Sequence, residues 1–148
     1  MKAIEIQSPN KIVVPEGYSS MFLAGSIEMG IAEDWQKIVQ KQLFDKEIVF
    51  LNPRRYDWDA SWEQTIENPK FKEQVEWELN GLDQADVIFM YFDPATKSPI
   101  SLLELGLHAN SSKMMVCCPE GFWRKGNVDI ICERYGITQF DSLNEIYL

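Results

Sequence analysis

Positive charge is scarce in this sequence: 14 Lys and Arg stand against 23 Asp and Glu, a formal net charge of −9. A chain that acidic repels polyphosphate, which argues against DNA, RNA or an anionic membrane surface as the main partner, although local dipoles can still hold one small phosphate. Long apolar runs are missing too; none approaches the ~20 residues that a membrane span requires. The start Met1-Lys2-Ala3-Ile4-Glu5 has no apolar stretch of the kind a secretory signal needs. The 3 cysteines, Cys117, Cys118 and Cys132, are odd in number and form no C-x-x-C pair, which speaks against a disulfide scaffold and against structural zinc. Neither G-x-G-x-x-G nor a phosphate loop ending in Lys-Ser/Thr occurs, so the dinucleotide and ATP fingerprints are absent. What is present, 45% hydrophobic and 12% aromatic residues, suffices for one core. Residues 1–148 are expected to form a single cytoplasmic domain that hides roughly 68–70% of its unfolded surface.

Strand and helix patterns alternate along the chain. Residues 3–14 read as two short alternating strands about the turn Ser8-Pro9-Asn10, an N-terminal β extension. Five apolar runs without period-2 alternation follow, at 21–24, 48–51, 86–92, 114–118 and 137–140. Helical spacing marks 32–44, 69–82, 99–110 and 126–134. Residues 53–68, with Tyr56, Trp58 and Trp62, read as a long loop. Strands covered on both faces and separated by helices form a parallel sheet. The expected fold is therefore α/β: a flavodoxin-like doubly wound five-stranded parallel sheet with helices on both faces, plus the short extension. Ligands of such sheets bind beyond the carboxyl ends of the strands, which nominates residues 25–26, 52–55, 93–98 and 119–127.

Two carboxylates stand out against that frame. Ser98-Pro99 opens the helix at 99–110 as an N-cap Ser followed by Pro at the first helical position. Ile100, Leu102, Leu103, Leu105, Leu107 and Ala109 then occupy nearly the whole circumference, the pattern of a helix buried all round, with Glu104 in its middle. A carboxylate there must be paired, hydrogen-bonded or shifted upward in pKa. One reading pairs Glu104 with His108 one turn on; the other aims it into a dry pocket. In the helix at 69–82, Phe71, Val75, Leu79 and Leu82 make an apolar stripe, and Glu78 lies about 55° from its centre at 100° per residue. Two carboxylates in different environments are the usual equipment of glycosidic chemistry, one as nucleophile and one as acid or base. Gly25-Ser26-Ile27 gives backbone N–H groups a close approach to an anion, or simply makes a tight strand–helix turn.

Phe22-Leu23-Ala24-Gly25-Ser26-Ile27, the stretch from Glu78 to Ala85-Asp86-Val87, and Leu103-Glu104-Leu105-Gly106 together resemble the nucleoside 2-deoxyribosyltransferase superfamily, which includes the 2′-deoxynucleoside 5′-monophosphate N-hydrolases. The resemblance runs in order over roughly residues 21–130 and leaves the first 20 outside. It implies that Glu104, the glutamate of the E-L-G motif, attacks the anomeric carbon, and that Glu78, eight positions before the Asp of A-D-V, handles the leaving base or its proton. Where the family typically has Asp, Glu78 is one methylene longer. The tyrosine that commonly orients the nucleophile from the first strand has no counterpart, since Met21 and Phe22 carry no hydroxyl. Six residues before the nucleophile, transferases carry Asp for the sugar and monophosphate hydrolases Ser for the phosphate; here it is Ser98. In the loop that reaches a neighbouring subunit, transferases have Asn and hydrolases Ser; here it is Asn127. Transferase and hydrolase stay open.

The resemblance thus implies a homo-oligomeric enzyme acting on a small-molecule nucleoside or nucleotide, with no metal and no organic cofactor. Glu104 and Glu78 are the catalytic candidates; Gly25, Ser26, Ile27, Ser98, Asn127 and Trp58 are the candidates for binding. Tyr56, Trp58 and Trp62 can stack on a base or cover the sheet edge. Arg54 and Arg55 can meet a phosphate or form a solvated salt-bridge pair. Trp123-Arg124-Lys125-Gly126 is the one compact basic patch, and Cys117 and Cys118 read as core thiols. Two alternatives belong to other classes: a non-catalytic nucleotide-binding or sequestering module, and a Toll/interleukin receptor-type NAD glycohydrolase, which also places Ser and Glu six apart, as Ser98 and Glu104 are.

Overall fold

A computed structural model of the chain describes residues 2–27, 34–55, 57–59 and 61–148. Its apolar runs form β1 (Ile4–Gln7), β2 (Ser19–Gly25), β3 (Ile48–Asn52), β4 (Val87–Tyr91), β5 (Met114–Cys117) and β6 (Thr138–Phe140). All five pairings are parallel, in the order β1-β3-β2-β4-β5-β6. The helices are α1 (Trp35–Gln42), α2 (Pro69–Gln84), α3 (Pro99–His108) and α4 (Lys125–Tyr135), followed by a 3-10 turn at Leu143–Glu145. None of them is long and apolar enough to cross a membrane.

The sheet has six strands rather than the five expected. The five strands β3-β2-β4-β5-β6 keep the flavodoxin-like order 2-1-3-4-5, and β1 lengthens that sheet by pairing with β3, Ile4 opposite Val49 and Gln7 opposite Asn52. The N-terminal β extension is therefore part of the main sheet. Its expected second strand does not form: after the turn at Ser8-Pro9 the backbone runs irregularly to Pro15. There the chain attaches to α2 instead, Trp77 Nε1 donating to the Asn10 carbonyl at 2.8 Å.

Alternation along each buried strand divides the core between the two faces of the sheet. Phe22, Ala24, Ile88 and Met90 pack with Trp77 and Leu82 of α2, Leu105 of α3, and Val128 and Cys132 of α4. Met21, Leu23, Phe89 and Tyr91 pack on the other face with Trp35 and Val39 of α1 and with Leu143. Helices thus lie on both faces, as expected. The motif Ala85-Asp86-Val87 has a structural purpose: the Asp86 carboxylate accepts from the Ser20 N–H at 2.8 Å and its hydroxyl at 3.2 Å, which locks the start of β4 to β2.

Two helix faces differ from their sequence reading. On α3 only Ser101, Glu104 and Leu105 are buried, while Ile100, Leu103 and Leu107 are each nearly 60% exposed (59%, 59% and 58%). The helix is not buried all round, because only one side meets the sheet. On α2 the face against the sheet is Gln74, Trp77, Gly81 and Leu82, not the stripe Phe71, Val75, Leu79 and Leu82. A Cβ on Gly81 would lie 2.7 Å from the Phe22 ring, so glycine lets the helix sit directly on β2. Phe71, Val75 and Leu79 are rotated off the core and line a cleft.

Candidate active site

The cleft lies beyond the carboxyl ends of β3, β2 and β4, where the strand order reverses and a doubly wound sheet binds ligands. Its volume is about 960 Å³, ample for a small organic ligand. Gly25 enters it at the end of β2 and Ile27 just after, Pro53, Arg54, Arg55 and Trp58 after β3, and Lys97 and Ser98 after β4. Of the four nominated stretches, the first three contribute to the lining and 119–127 does not.

Glu78 of α2 and Glu104 of α3 line this one cavity. Glu104 is 7% exposed, and burial pushes its carboxyl up to about 7. Glu78 is pushed up to about 8, mainly by burial and then by the charge of Glu104, with the Gln74 side chain pulling the other way. The alternative pairing of Glu104 with His108 is not made: His108 is pushed down by its own burial and by Lys113, with Asp83 opposing. Two carboxyls in one cavity are thus both held above their ordinary range, by burial and, for Glu78, also by the charge of Glu104.

Ser98 lines the cavity, but not as the expected N-cap. Its φ is +48° and its side chain makes no capping bond, because the hydroxyl lies 2.6 Å from that of Ser26 and 2.7 Å from that of Thr96. Ser26 itself is 1% exposed and lies beneath the cavity. Its N–H donates to the Tyr91 carbonyl at 3.0 Å, and its hydroxyl accepts from the Asp93 N–H at 2.8 Å. That N–H is thus committed to the sheet and is not offered to an anion, as the sequence had suggested. The three hydroxyls tie the loop after β2 to the loop before α3.

The aromatic loop is half wall and half backing. Trp58 and Phe71 line the cavity, with ring centroids 6.5 Å apart, and Trp62 packs edge-on behind Trp58 at 4.9 Å. Tyr56 and the segment 28–33, including Gly30, lie outside the described residues. Arg54 and Arg55 are buried, not solvated. The Arg55 Nε and Nη2 donate to the two Asp57 carboxylate oxygens at 2.9 and 3.0 Å, and Nη1 donates to Glu73 at 3.0 Å. Arg54 Nε donates to Gln36 at 3.2 Å and lies 3.7 Å from an Asp34 oxygen.

The basic patch after β5 contributes no residue to the lining of the cleft and meets Lys97, which does line it, through Trp123. Trp123 Nε1 donates to the Lys97 carbonyl at 2.8 Å, and the Lys97 ammonium and Arg124 guanidinium lie 4.4 and 4.3 Å from the Trp123 ring centre. Lys125 is engaged internally with the Cys118 carbonyl and Asp129. Asn127 is exposed on α4 and is not among the residues lining this chain's cavity. Lys97 falls in the nominated stretch 93–98 without having been singled out, whereas the cavity residues Gln74 and Ser101 lie outside every nominated stretch. Gln74 had no signal, since a polar residue off an apolar stripe reads as solvated.

A search of curated proteins finds no match. A protein-family model described as nucleoside 2-deoxyribosyltransferase like matches residues 18–122, which include every strand from β2 to β5 and both cavity glutamates, but neither β1 nor Asn127. The order of motifs around Gly25, Glu78 and Glu104 and this match over most of the chain agree, and the chain belongs to the nucleoside 2-deoxyribosyltransferase-like family.

Proposed function

We propose that the cleft holds a (deoxy)nucleoside or its 5′-monophosphate and cleaves or exchanges its N-glycosidic bond. The observation that carries this reading is the pair of glutamates in one cavity, Glu104 brought to about 7 and Glu78 to about 8. A Glu104 carboxylate oxygen attacks C1′, the C1′–N bond breaks, and its electron pair leaves with the base, which takes the Glu78 proton. The Glu78 carboxylate then removes a proton from water, whose oxygen attacks C1′ and releases Glu104. A second base in place of water gives exchange.

Trp58 and Phe71 offer aromatic surface for the base, worth roughly 1–3 kcal/mol per stacked base in single-stranded complexes. At the other end, Lys97 and Ser98 line the cavity where α3 begins. A cation, a hydroxyl and a helix N-terminus all favour an anionic 5′ group, so the monophosphate is the preferred substrate. Three buried, unpaired cysteines suit a reducing compartment such as the cytoplasm. The exposed Ile100, Leu103 and Leu107 beside the cleft suit coverage by a second copy in a homo-oligomer.

Incubation with purine and pyrimidine deoxynucleosides and their 5′-monophosphates, read by chromatography of free base, tests the reaction. Release of base, and a glycosyl ester on the peptide containing Glu104 after acid quench, is the expected result. Tight binding without any release would place the protein among non-catalytic nucleotide-binding modules.

A further inference from the structure

Residues 4–12 precede the family match, yet they reach the candidate site. From β1 onward the segment holds the two elements that flank Glu78. Gln7 Nε2 donates to the Arg54 carbonyl at 2.9 Å, and the Ser8 N–H donates to the Asn52 carbonyl at 2.9 Å. These bonds fix the loop after β3. On α2, Trp77 Nε1 donates to the Asn10 carbonyl, and Ile12 reaches within 3.6 Å of where a Gly81 Cβ would stand.

Between these anchors lies Gln74, one helical turn before Glu78 and 7% exposed. Its Nε2 donates to the Pro53 carbonyl at 2.8 Å, and its Oε1 accepts from the Ser8 hydroxyl at 2.5 Å. A backbone carbonyl can only accept, so Pro53 decides which way the amide faces, and Ser8 satisfies the oxygen that this choice leaves. The amide nitrogen has a second hydrogen, and Gln74 and Glu78, four residues apart on α2, line the same cavity, where the Gln74 side chain opposes the burial that raises Glu78. A donor aimed at a carboxyl favours its ionised form.

We propose that Gln74 is a positioning residue for Glu78, held in its donating orientation by Ser8 of the N-terminal segment, so that this segment is built into the site. The inference deepens the glycosidic reading and rests on it for its catalytic meaning. Glu78 must give up a proton to the base and regain one from water, and Gln74 keeps the ionised half of that cycle accessible.

The test is an NMR titration of side-chain carboxyl carbons in protein labelled at glutamate, with the Glu78 signal assigned from Glu78→Gln. Gln74→Leu, close in volume and without a donor, should raise the Glu78 midpoint by about one pH unit, the size of one hydrogen bond to a charged group. Ser8→Ala, the milder change should the first variant not fold, should raise it by less, and Ser8→Thr should restore it. The basic limb of the pH–rate profile should move the same way, with kcat lowered and KM little changed. An unmoved midpoint in Gln74→Leu or Ser8→Ala, whatever the turnover, overturns the coupling. A moved midpoint in a protein that releases no base from any nucleoside supports the coupling and overturns the glycosidic reading instead.

Discussion

Gly25 runs so close to Tyr91 that a Cβ on it would stand 2.2 Å from the Tyr91 carbonyl oxygen and 2.8 Å from the Tyr91 nitrogen. The two residues are register partners that end β2 and β4, and Gly25 lines the cleft. Gly25 also has φ of +131°, a conformation that side chains rarely adopt. Gly25→Ala should therefore cost about 3 kcal/mol, a fall in Tm of about 6–12 °C for a chain of this size. A calorimetric Tm within 2 °C, roughly the effect of an ordinary surface substitution, would show that the backbone gives way there.

How far the sequence could be read depended on what each pattern samples. Strand runs such as Met21–Ala24 and Ile48–Leu51 identify themselves because central parallel strands are apolar on both sides. The N-terminal strand was recognised, but its place in the sheet was not, since pairing with β3 is a long-range fact that four residues do not encode. Glu104 was legible because a charge inside an apolar helix demands an explanation. The two sides of α2 were not, because Phe71, Val75 and Leu79 look like core whether they face a sheet or a cleft. Ser98 misled for a related reason: its sequence context fits a cap, and one of the two hydroxyls that claim it, that of Ser26, comes from the distant loop after β2.

Glu104→Gln should abolish base release, because an amide cannot form the glycosyl ester. It should also leave the fold intact and, above pH 7, make it more stable, since the buried carboxylate that burial disfavours is gone. Chromatography of free base together with melting at pH 8.5 checks both halves. Wild-type turnover in Glu104→Gln would remove this residue from the mechanism.

Glu78→Gln should slow turnover by roughly 10²–10⁴-fold, the span of a general acid–base group, with little change in the affinity of an unreactive nucleoside analogue. A large fall in Tm with turnover unchanged would mark Glu78 as a boundary charge instead.

Stability should fall as pH rises from about 5 to about 8. Both glutamates titrate higher in the fold than the ordinary 4.5, at about 7 and about 8. In that window the unfolded chain has already lost protons that the folded chain still holds. Rising pH therefore favours unfolding, and the stabilising preference for the neutral form, complete below about 4.5, is exhausted above about 8. Denaturant midpoints across this range should decline in the wild type and decline less in Glu78→Gln. Identical slopes would mean that Glu78 does not titrate in the window.

The choice between nucleoside and nucleotide turns on Ser98. Ser98 is 3% exposed and its hydroxyl lies within hydrogen-bonding distance of those of Ser26 and Thr96, so its position is set before any ligand arrives. Lys97 precedes it in the same wall, and α3 begins just beyond with Pro99, which has no N–H. The first-turn donors of α3 therefore come from Ile100 and Ser101, which also line the cleft. A 5′-phosphate placed there meets positive potential from each of these sources, whereas a 5′-hydroxyl gains little from it. The wild type should bind a deoxynucleoside 5′-monophosphate more tightly than the deoxynucleoside. Ser98→Asp should reverse the order, because a carboxylate in that wall repels the phosphate and can accept a hydrogen bond from a 5′-hydroxyl. Four dissociation constants, two ligands against two proteins, decide it by calorimetry. Equal affinities in the wild type would end the argument for phosphate and shift the weight to Asn127 and base exchange.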